Sequence, residues 1–534
     1  MPSAPHDPGP TTITDPRRRR MVLVAMCTAL VSVVASVSGL NVAQGQLATD
    51  LGASQSELLW IINGYTIALA SLLLAVGAIG DRWGRKQVLV AGLGLFAAAN
   101  VAASLSSTVT QLLVFRVAAG VGAAMIMPVT LSVITSTFPA HDRDRAVGVW
   151  AGFAAAGGIL GLLTSSLVVD NLTWPWVFAV PTAMALASLA MTIPSVPRSR
   201  EHHGGRFDIG GSVLSAAAVG GLVLGVHEGP EVGWTAPLTV AALVTGLVAA
   251  LGFVAWERRQ THPLLDVRVF ADRTLAVGSV SLLVTFAIMF GLFLVLVQFL
   301  QAVLGYSAIG AATGLLPMAV VLMPISALAP ILTRRVGYRT MFTGGLLLIG
   351  VGLALMAALG SADGGYASVL PGLLVLASGV GLTQTPSTSA ITGSLPADEQ
   401  GVASALNDTL REFGGALGIA LIGSVLSAGY ADGVADAAAV LPPDAADAVQ
   451  DGIGGALAVA SQAGPSGEAL LAVARDAFVD GWARSMWISA ALAVAAAAFA
   501  LVWLPRRAGL AEIDDASPAA PEADDATRPL ATVD

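Results

Sequence analysis

The sequence is short of charge. Only 11% of its 534 residues are Asp, Glu, Lys or Arg, against roughly 25% in an ordinary soluble domain, and that deficit excludes a soluble globule. Lysine is nearly missing: Lys86 stands alone among 26 basic residues. That usage, with very heavy use of alanine, points to a GC-rich bacterial genome and carries no function. Cysteine is as scarce. Cys27 has no partner in the chain, which excludes a disulfide framework and cysteine-based zinc chemistry. Nothing resembles a nucleotide-binding loop, a metal cluster or a nucleophile elbow, so ATP-driven pumping and hydrolysis have no support and neither enzyme nor cofactor is expected.

What is present is apolar. Hydrophobic residues make up 55%, about 294 side chains, enough for roughly fourteen bilayer crossings of about 20 residues. Charged or Gly/Pro-rich breaks divide them into spans near 21–43, 58–80, 87–106, 111–134, 146–169, 176–194, 209–227, 235–256, 274–302, 309–332, 340–360, 368–392, 401–428 and 482–504. Fourteen is even, so both termini lie on one side. Twenty-two of the 26 Lys and Arg fall in alternate loops on that side, at 17–20, 82–86, 143–145, 198–206, 258–273, 334–339, 506–507 and Arg528. The positive-inside rule makes it cytoplasmic, in a multi-pass inner (plasma) membrane protein. Arg17 to Arg20 could open a signal peptide, but the following run to Ala43 is too long and thirteen more follow.

The net charge of −9 is local. It belongs to an expected long extracellular loop at 429–480 and a cytoplasmic tail at 505–534, and no basic stripe remains as a nucleic-acid footprint. The lipid bilayer and a small lipophilic substrate are the partners implied, with no obligate protein partner.

An internal repeat at an offset of about 257 residues organises the chain. Phe138-Pro139-Ala140 matches Leu395-Pro396-Ala397, Pro128 matches Pro386, Gly120-x-Gly122 matches Gly379-x-Gly381, and Gly157-Gly158-x-x-Gly161 matches Gly414-Gly415-x-x-Gly418. Asp81-Arg82-Trp83-Gly84-Arg85-Lys86 has a weaker counterpart in Arg334-Arg335-Val336-Gly337-Tyr338-Arg339. The expected domains are a cytoplasmic segment 1–20, a six-helix half 21–194, a linker with two extra helices 195–273, a second six-helix half 274–504 and the tail. Parallel six-helix repeats are the plan of rocking secondary transporters.

Gly77-Ala-Ile-Gly80-Asp81-Arg82-Trp-Gly84-Arg85-Lys86, Trp60-x-x-x-x-Tyr65, Arg116-x-x-x-Gly120-x-Gly122, Trp174-x-Trp176 and Asn407-Asp408-Thr409-x-Arg411-Glu412-x-Gly414-Gly415 together resemble the major facilitator superfamily. The resemblance is specifically to its fourteen-helix drug:proton antiporter branch. It implies an all-α polytopic fold of two pseudo-symmetric six-helix halves plus two inserted helices, exporting drug-like compounds by alternating access with the proton as coupling ion. Two departures bear on the coupling. Ser36 stands where many members carry an acid before Asn41-Val42-Ala43, and Gly161-Leu162-x-x-Ser165-Ser166 replaces the antiporter motif of helix 5. Pro175 stands where the family usually has Arg.

Asp81 is the candidate latch, pairing with Arg on the neighbouring half. Positive-inside charge explains Arg82, Arg85 and Lys86 equally well, but it does not explain Gly77, Gly80 and Gly84, whose bare backbones let helices approach. Arg116, Asp408, Arg411 and Glu412 are read as the ionisable residues clearly within the spans, where charge is costly and functional by default. Asp408 and Glu412 share a helix face, with Arg411 three residues from Asp408. Burial and Arg411 pull on the proton affinity of Glu412 in opposite directions, which is what a proton carrier needs. The Asp408–Arg411 spacing would serve a structural pair as well. Arg116 resembles the coupling Arg of similar transporters and lacks its usual acidic partner. Gly157, Gly158, Gly161, Gly414, Gly415 and Gly418 read as helix-packing surfaces or as a seal between states. Asn41, Gln44, Asn63, Tyr65, Gln298, Gln301 and Gln384 are the candidate cavity residues, each equally able to make an interhelical hydrogen bond. Their neutrality favours a lipophilic or weakly basic substrate. A facilitator or lipid exporter with weak proton coupling, and a non-transporting sensor or scaffold, are the other readings.

Overall fold

The computed structural model describes residues 13–198, 207–396, 399–463 and 465–505. The acidic tail beyond Pro505, Arg200, Arg206, Ala397 and Asp398 lie outside the described residues, as do the side chains of Asn41 and Val42. The described chain is helical almost throughout, as lipid demands, because a helix satisfies its own backbone hydrogen bonds. The first six helices are α1 (Pro16–Leu51), α2 (Gln55–Trp83), α3 (Arg85–Ser104), α4 (Val109–Thr137), α5 (Ala140–Asn171) and α6 (Ala179–Ser195). Then come α7 (Ile209–Val232), α8 (Pro237–Glu257), α9 (Arg273–Gln298), α10 (Ala308–Gly314), α11 (Leu316–Leu359) and α12 (Leu370–Gly393). The last four are α13 (Gln400–Ala438), α14 (Pro443–Asp451), α15 (Ile453–Gln462) and α16 (Pro465–Trp503).

Among the described residues, twelve segments are long and apolar enough to cross a membrane. The fourteen-span expectation differs from that number at two places. One segment, Ile309–Leu359, runs 51 residues but contains Gly337 at φ 79°, outside helical space. Gly84, its counterpart in the repeat, turns the chain between α2 and α3 at φ 113°. Both are conformations that glycine adopts at no steric cost, so α11 holds two helical arms, 316–336 and 338–359. The other is α12, 24 residues whose Thr383, Gln384, Thr385, Ser387 and Thr388 lower its apolarity; those side chains are buried.

Two apolar cores result. One is built from residues between Ile13 and Val196, the other from residues between Val284 and Ala497 together with Ile159 of α5. The bundles meet along two seams, α2 against α13 and α5 against α11. Helices α7 and α8 pack on each other, and α7 also lies on both α2 and α13, where Val223 and Val226 join Ala70, Ala416 and Ala420. Contacts between chain ends fix one face of the molecule, here called the terminal face. Arg18 Nε donates to Ser195 O at 2.8 Å, Lys86 Nζ to Ile193 O at 2.6 Å and Arg339 Nε to Leu501 O at 2.9 Å, while Arg19 pairs with Asp142.

The 429–480 segment is not an open loop. Helix α13 continues to Ala438, α16 already begins at Pro465, and α14 and α15 fill most of the interval. Val449, Ile453, Ala456 and Ala460 bury their side chains against α13 and α16, an apolar spacing that the acid content obscured.

The repeated glycine clusters pack inside the bundles and not between them. A Cβ on Gly161 would lie 2.5 Å from Ala35 Cα of α1; one on Gly414 would lie 2.5 Å from Leu283 O of α9; one on Gly418 would overlap Ala287 O. Gly157 faces Val34, Gly415 faces Phe290, and Gly158 is half-buried. In lipid, where apolar surface gives helices no reason to associate, this close backbone packing is a main source of cohesion. Gly418→Ala is therefore expected to lower stability by about 1–3 kcal/mol. Gly94→Ala, where a Cβ meets nothing within 4 Å, is expected to be neutral or to stabilise by about 0.5–1 kcal/mol. Thermal unfolding of the purified variants in detergent checks both.

Candidate functional site

Three groups of buried polar residues stand out, two at the meeting of the bundles and one inside the first bundle. The first is at the terminal face, where Asp81 ends α2 and is 3% exposed. Its Oδ1 accepts from Arg85 Nε at 3.0 Å, and Arg85 is its own neighbour in the turn, 1% exposed. Across the seam it meets backbone. The Gly401 N–H donates to Oδ1 at 2.9 Å and to Oδ2 at 2.7 Å, and the Val402 N–H donates to Oδ2 at 3.2 Å. These are first-turn amides of α13, which have no carbonyl partners within their helix and carry its positive dipole end. The expected Arg on the other half is thus replaced by a helix terminus. The approach depends on two glycines: a Cβ on Gly77 would sit 2.5 Å from Gly401 O, and one on Gly401 would sit 2.6 Å from Asp81 Oδ2. Gly80 only touches Val129, Gly84 supplies the turn, and Arg82 is half-buried with no ion pair among the described residues.

On the second seam, Gly148 and Gly152 of α5 face Ser326 and Met323 of α11. Arg334, at the end of the first α11 arm, pairs with Asp144 at 2.8 Å, both partners substantially exposed. Deeper in, Gln384 Nε2 donates to Ala151 O at 3.3 Å across the bundles.

The second group is on α13. Arg411 donates to Asp408 Oδ1 at 3.1 Å, and Asn407 Nδ2 to the same oxygen at 3.3 Å, all three buried. The guanidinium stacks 4.6 Å from the Phe286 ring of α9 and 5.4 Å from the Trp150 ring of α5, cation–π contacts that spread its charge over both bundles. Glu412 stands apart. It sits about 18 Å along α13 at 1.5 Å per residue, yet it is only half-buried and has no hydrogen bond or ion pair among the described residues. Its charged neighbours on α13 are Arg411, the adjacent residue, and Asp408, one turn before it.

The third group surrounds Arg116, 0% exposed on α4. Its NH1 donates to Ser36 Oγ at 3.0 Å and its Nε to Ile61 O at 3.3 Å, and its guanidinium lies 4.2 Å over the Tyr65 ring. Tyr65 in turn donates its hydroxyl to Val33 O at 3.1 Å. No carboxylate is within ion-pair distance of Arg116 among the described residues, and NH2 has no partner. Ser36 thus occupies the place of the expected acid as a neutral acceptor, and an Arg that can pair with no acid is held by a carbonyl, a hydroxyl and a ring.

The remaining cavity candidates are dispersed. Asn63 is buried, Gln44 and Gln298 are half-buried, and Gln301 is exposed on the π-turn Phe299–Val303. Sequence reasoning missed two buried carboxyl residues, Glu228 and Glu257, and the half-buried His227. Helix α7 continues past the end of its apolar run, which leaves Glu228 buried and His227 Nε2 without a partner; Glu257 closes α8 buried, its Oε2 accepting from Leu264 N–H at 2.8 Å. Each follows an apolar run, where a polar residue reads as a helix boundary.

Comparison with known proteins agrees with this architecture. The family model of the Major Facilitator Superfamily matches residues 24–419. The chain is 34% identical over 493 residues to the multidrug efflux pump LfrA of Mycolicibacterium smegmatis, covering 92% of this chain and 97% of that one. It is 31% identical over 413 residues to the multidrug resistance protein Stp of Mycobacterium tuberculosis, covering 77% and 76%. Among solved structures, the proton:xylose symporter XylE aligns over 93% of this chain and 99% of its own, with a TM-score of 0.59 at 16% identity, a likeness of fold alone. Helices, repeat, seams and family model agree, and the chain is a membrane-embedded member of the major facilitator superfamily.

Proposed function

We propose that the protein exports small, lipophilic or weakly basic drug-like compounds from the cytoplasm across the inner membrane in exchange for protons. The single observation that carries this reading is Glu412, a half-buried carboxylate well inside α13 with no hydrogen bond or ion pair among the described residues. The efflux and resistance names of LfrA and Stp support the substrate class. No cofactor is needed, because the proton gradient supplies the driving force.

With the termini cytoplasmic, the terminal face is the cytoplasmic gate, and Asp81 on the α13 terminus and Arg334 on Asp144 hold it closed. The cavity then opens outward. Protonation of Glu412 from outside removes a charge from between the bundles, so the protein can re-close around it without burying a bare anion. The two bundles, α1–α6 and α9–α16, rock about the seams, Asp81 leaves the Gly401 and Val402 amides, and substrate enters from inside as the proton leaves. Arg411, held by Asp408, keeps a fixed positive charge next to Glu412 and favours release of that proton. Arg116 and Tyr65 couple the N-terminal bundle to the same carboxylate. The neutral environment of Arg116, with Ser36 in place of an acid, favours the alternative of a weakly coupled facilitator or lipid exporter, and the two readings part on energy dependence.

In cells loaded with a fluorescent cationic drug, wild-type export is expected to stop when a protonophore collapses the gradient. Glu412→Gln is expected to lose at least about tenfold in export rate, the loss of one 1.4 kcal/mol interaction, with unchanged expression; export that persists in the protonophore removes proton antiport. For the gate, Asp81→Asn gives up charge-assisted hydrogen bonds of about 1.5–3 kcal/mol. Alkylation of a cysteine placed at the buried Ser404 by a membrane-impermeant maleimide, in purified protein, is expected to accelerate by about tenfold to a hundredfold.

A further inference from the structure

At the face opposite the termini, α13 and α16 cross where two glycines meet. A Cβ on Gly429 would lie 2.9 Å from Gly481 Cα, and one on Gly481 would lie 2.8 Å from Leu426 O. Beside this crossing runs an open trough of about 460 Å³. Val425 and Ala428 form its α13 wall and Trp487 and Ile488 its α16 wall, with Asp432 and Arg484 at its outer end. Trp487 is 53% and Ile488 43% exposed.

The sequence fixes its depth. From Ser485 to Leu504, 20 residues, α16 carries no Asp, Glu, Lys, Arg or His, the length of one hydrocarbon crossing. Arg484 is the first charge beyond that run and lies at headgroup level, Asp432 stands beside it, and Trp487 is one turn further in, where interfacial aromatics collect. Arg484 NH1 and Asp432 Oδ2 are 3.6 Å apart, with side chains 59% and 77% exposed. So loose and wet a pair contributes little to the fold, and both charges stay open to a ligand.

We propose that this trough binds a phospholipid with a phosphoethanolamine headgroup in the outer leaflet. The headgroup is itself a dipole and would lie antiparallel to the side-chain pair. Its phosphate accepts from the Arg484 guanidinium, a strong charge-assisted contact, and its primary ammonium donates to the Asp432 carboxylate. One acyl chain follows Ala428 and Val425 inward between Trp487 and Ile488. A choline headgroup has no N–H to donate, and an anionic glycerol headgroup meets Asp432 with like charge. The site is separate from Glu412 and from the terminal-face contacts of Asp81 and Arg334, so it stands independently of the transport reading.

Native mass spectrometry of the detergent-purified full-length protein, titrated with phosphatidylethanolamine, phosphatidylcholine or phosphatidylglycerol of identical acyl chains, tests the assignment. Wild type is expected to retain the ethanolamine lipid about fivefold better than either other lipid, the effect of one exposed charge contact. Arg484→Gln is expected to weaken its retention, and Asp432→Asn to erase the preference over choline while raising glycerol binding; both are surface changes that leave thermal unfolding unaltered. Ala428→Trp, filling the trough, is expected to lower retention of all three. Wild type that prefers phosphatidylglycerol, shows no preference, or keeps its ethanolamine preference in both charge variants overturns the proposal.

Discussion

A carboxylate of one bundle caps a helix of the other, and the closed terminal face depends on that contact. Asp81 reaches the first amides of α13 because Gly77 and Gly401 bring the two backbones together. A backbone donor has no rotamers to order, and the charge of a helix terminus is always present. In the proposed rocking motion the contact would break and reform with no side chain to be repositioned on the α13 side. Arg85 holds the carboxylate from within the same turn, so the acid stays partnered when the amides leave it.

The repeat preserves this geometry while exchanging its chemistry. Arg334 stands where Asp81 stands, Asp144 where Gly401 stands, and the two meet across the second seam as an ordinary ion pair. One clasp is buried and built on backbone; the other is exposed, screened by salt and worth at most about 1 kcal/mol. The buried charges further in follow a similar economy. Arg116 and Arg411 are both partnered by aromatic rings as well as polar atoms, while Glu412 has no hydrogen bond or ion pair among the described residues.

Much of this was legible in the chain. The alternation of Arg-bearing loops placed the helix ends that meet on the terminal face, and the repeated glycine foretold the break at Gly337 that a run of apolar residues hides. The Asp408–Arg411 pair followed from a three-residue spacing. The partner of Asp81 was not legible, because a backbone amide leaves no mark in a sequence and a search for an opposite charge finds only arginines. The glycine clusters at 157–161 and 414–418 were visible as packing surfaces, but which helix each one packs on is a tertiary fact. Glu228 and Glu257 were missed because a charge at the end of an apolar run marks either its boundary or its last buried turn, and burial alone decides.

The inserted pair α7–α8 makes the two seams unequal neighbours of the bilayer. Where α2 meets α13, α7 lies across the junction through valine and alanine contacts. Where α5 meets α11, no inserted helix intervenes, and Val320, Leu328 and Ile331 of α11 stay exposed. A hydrophobic solute diffusing in the plane of the membrane meets a protein with one shielded flank and one bare one, so a fold built by duplication has a handed perimeter.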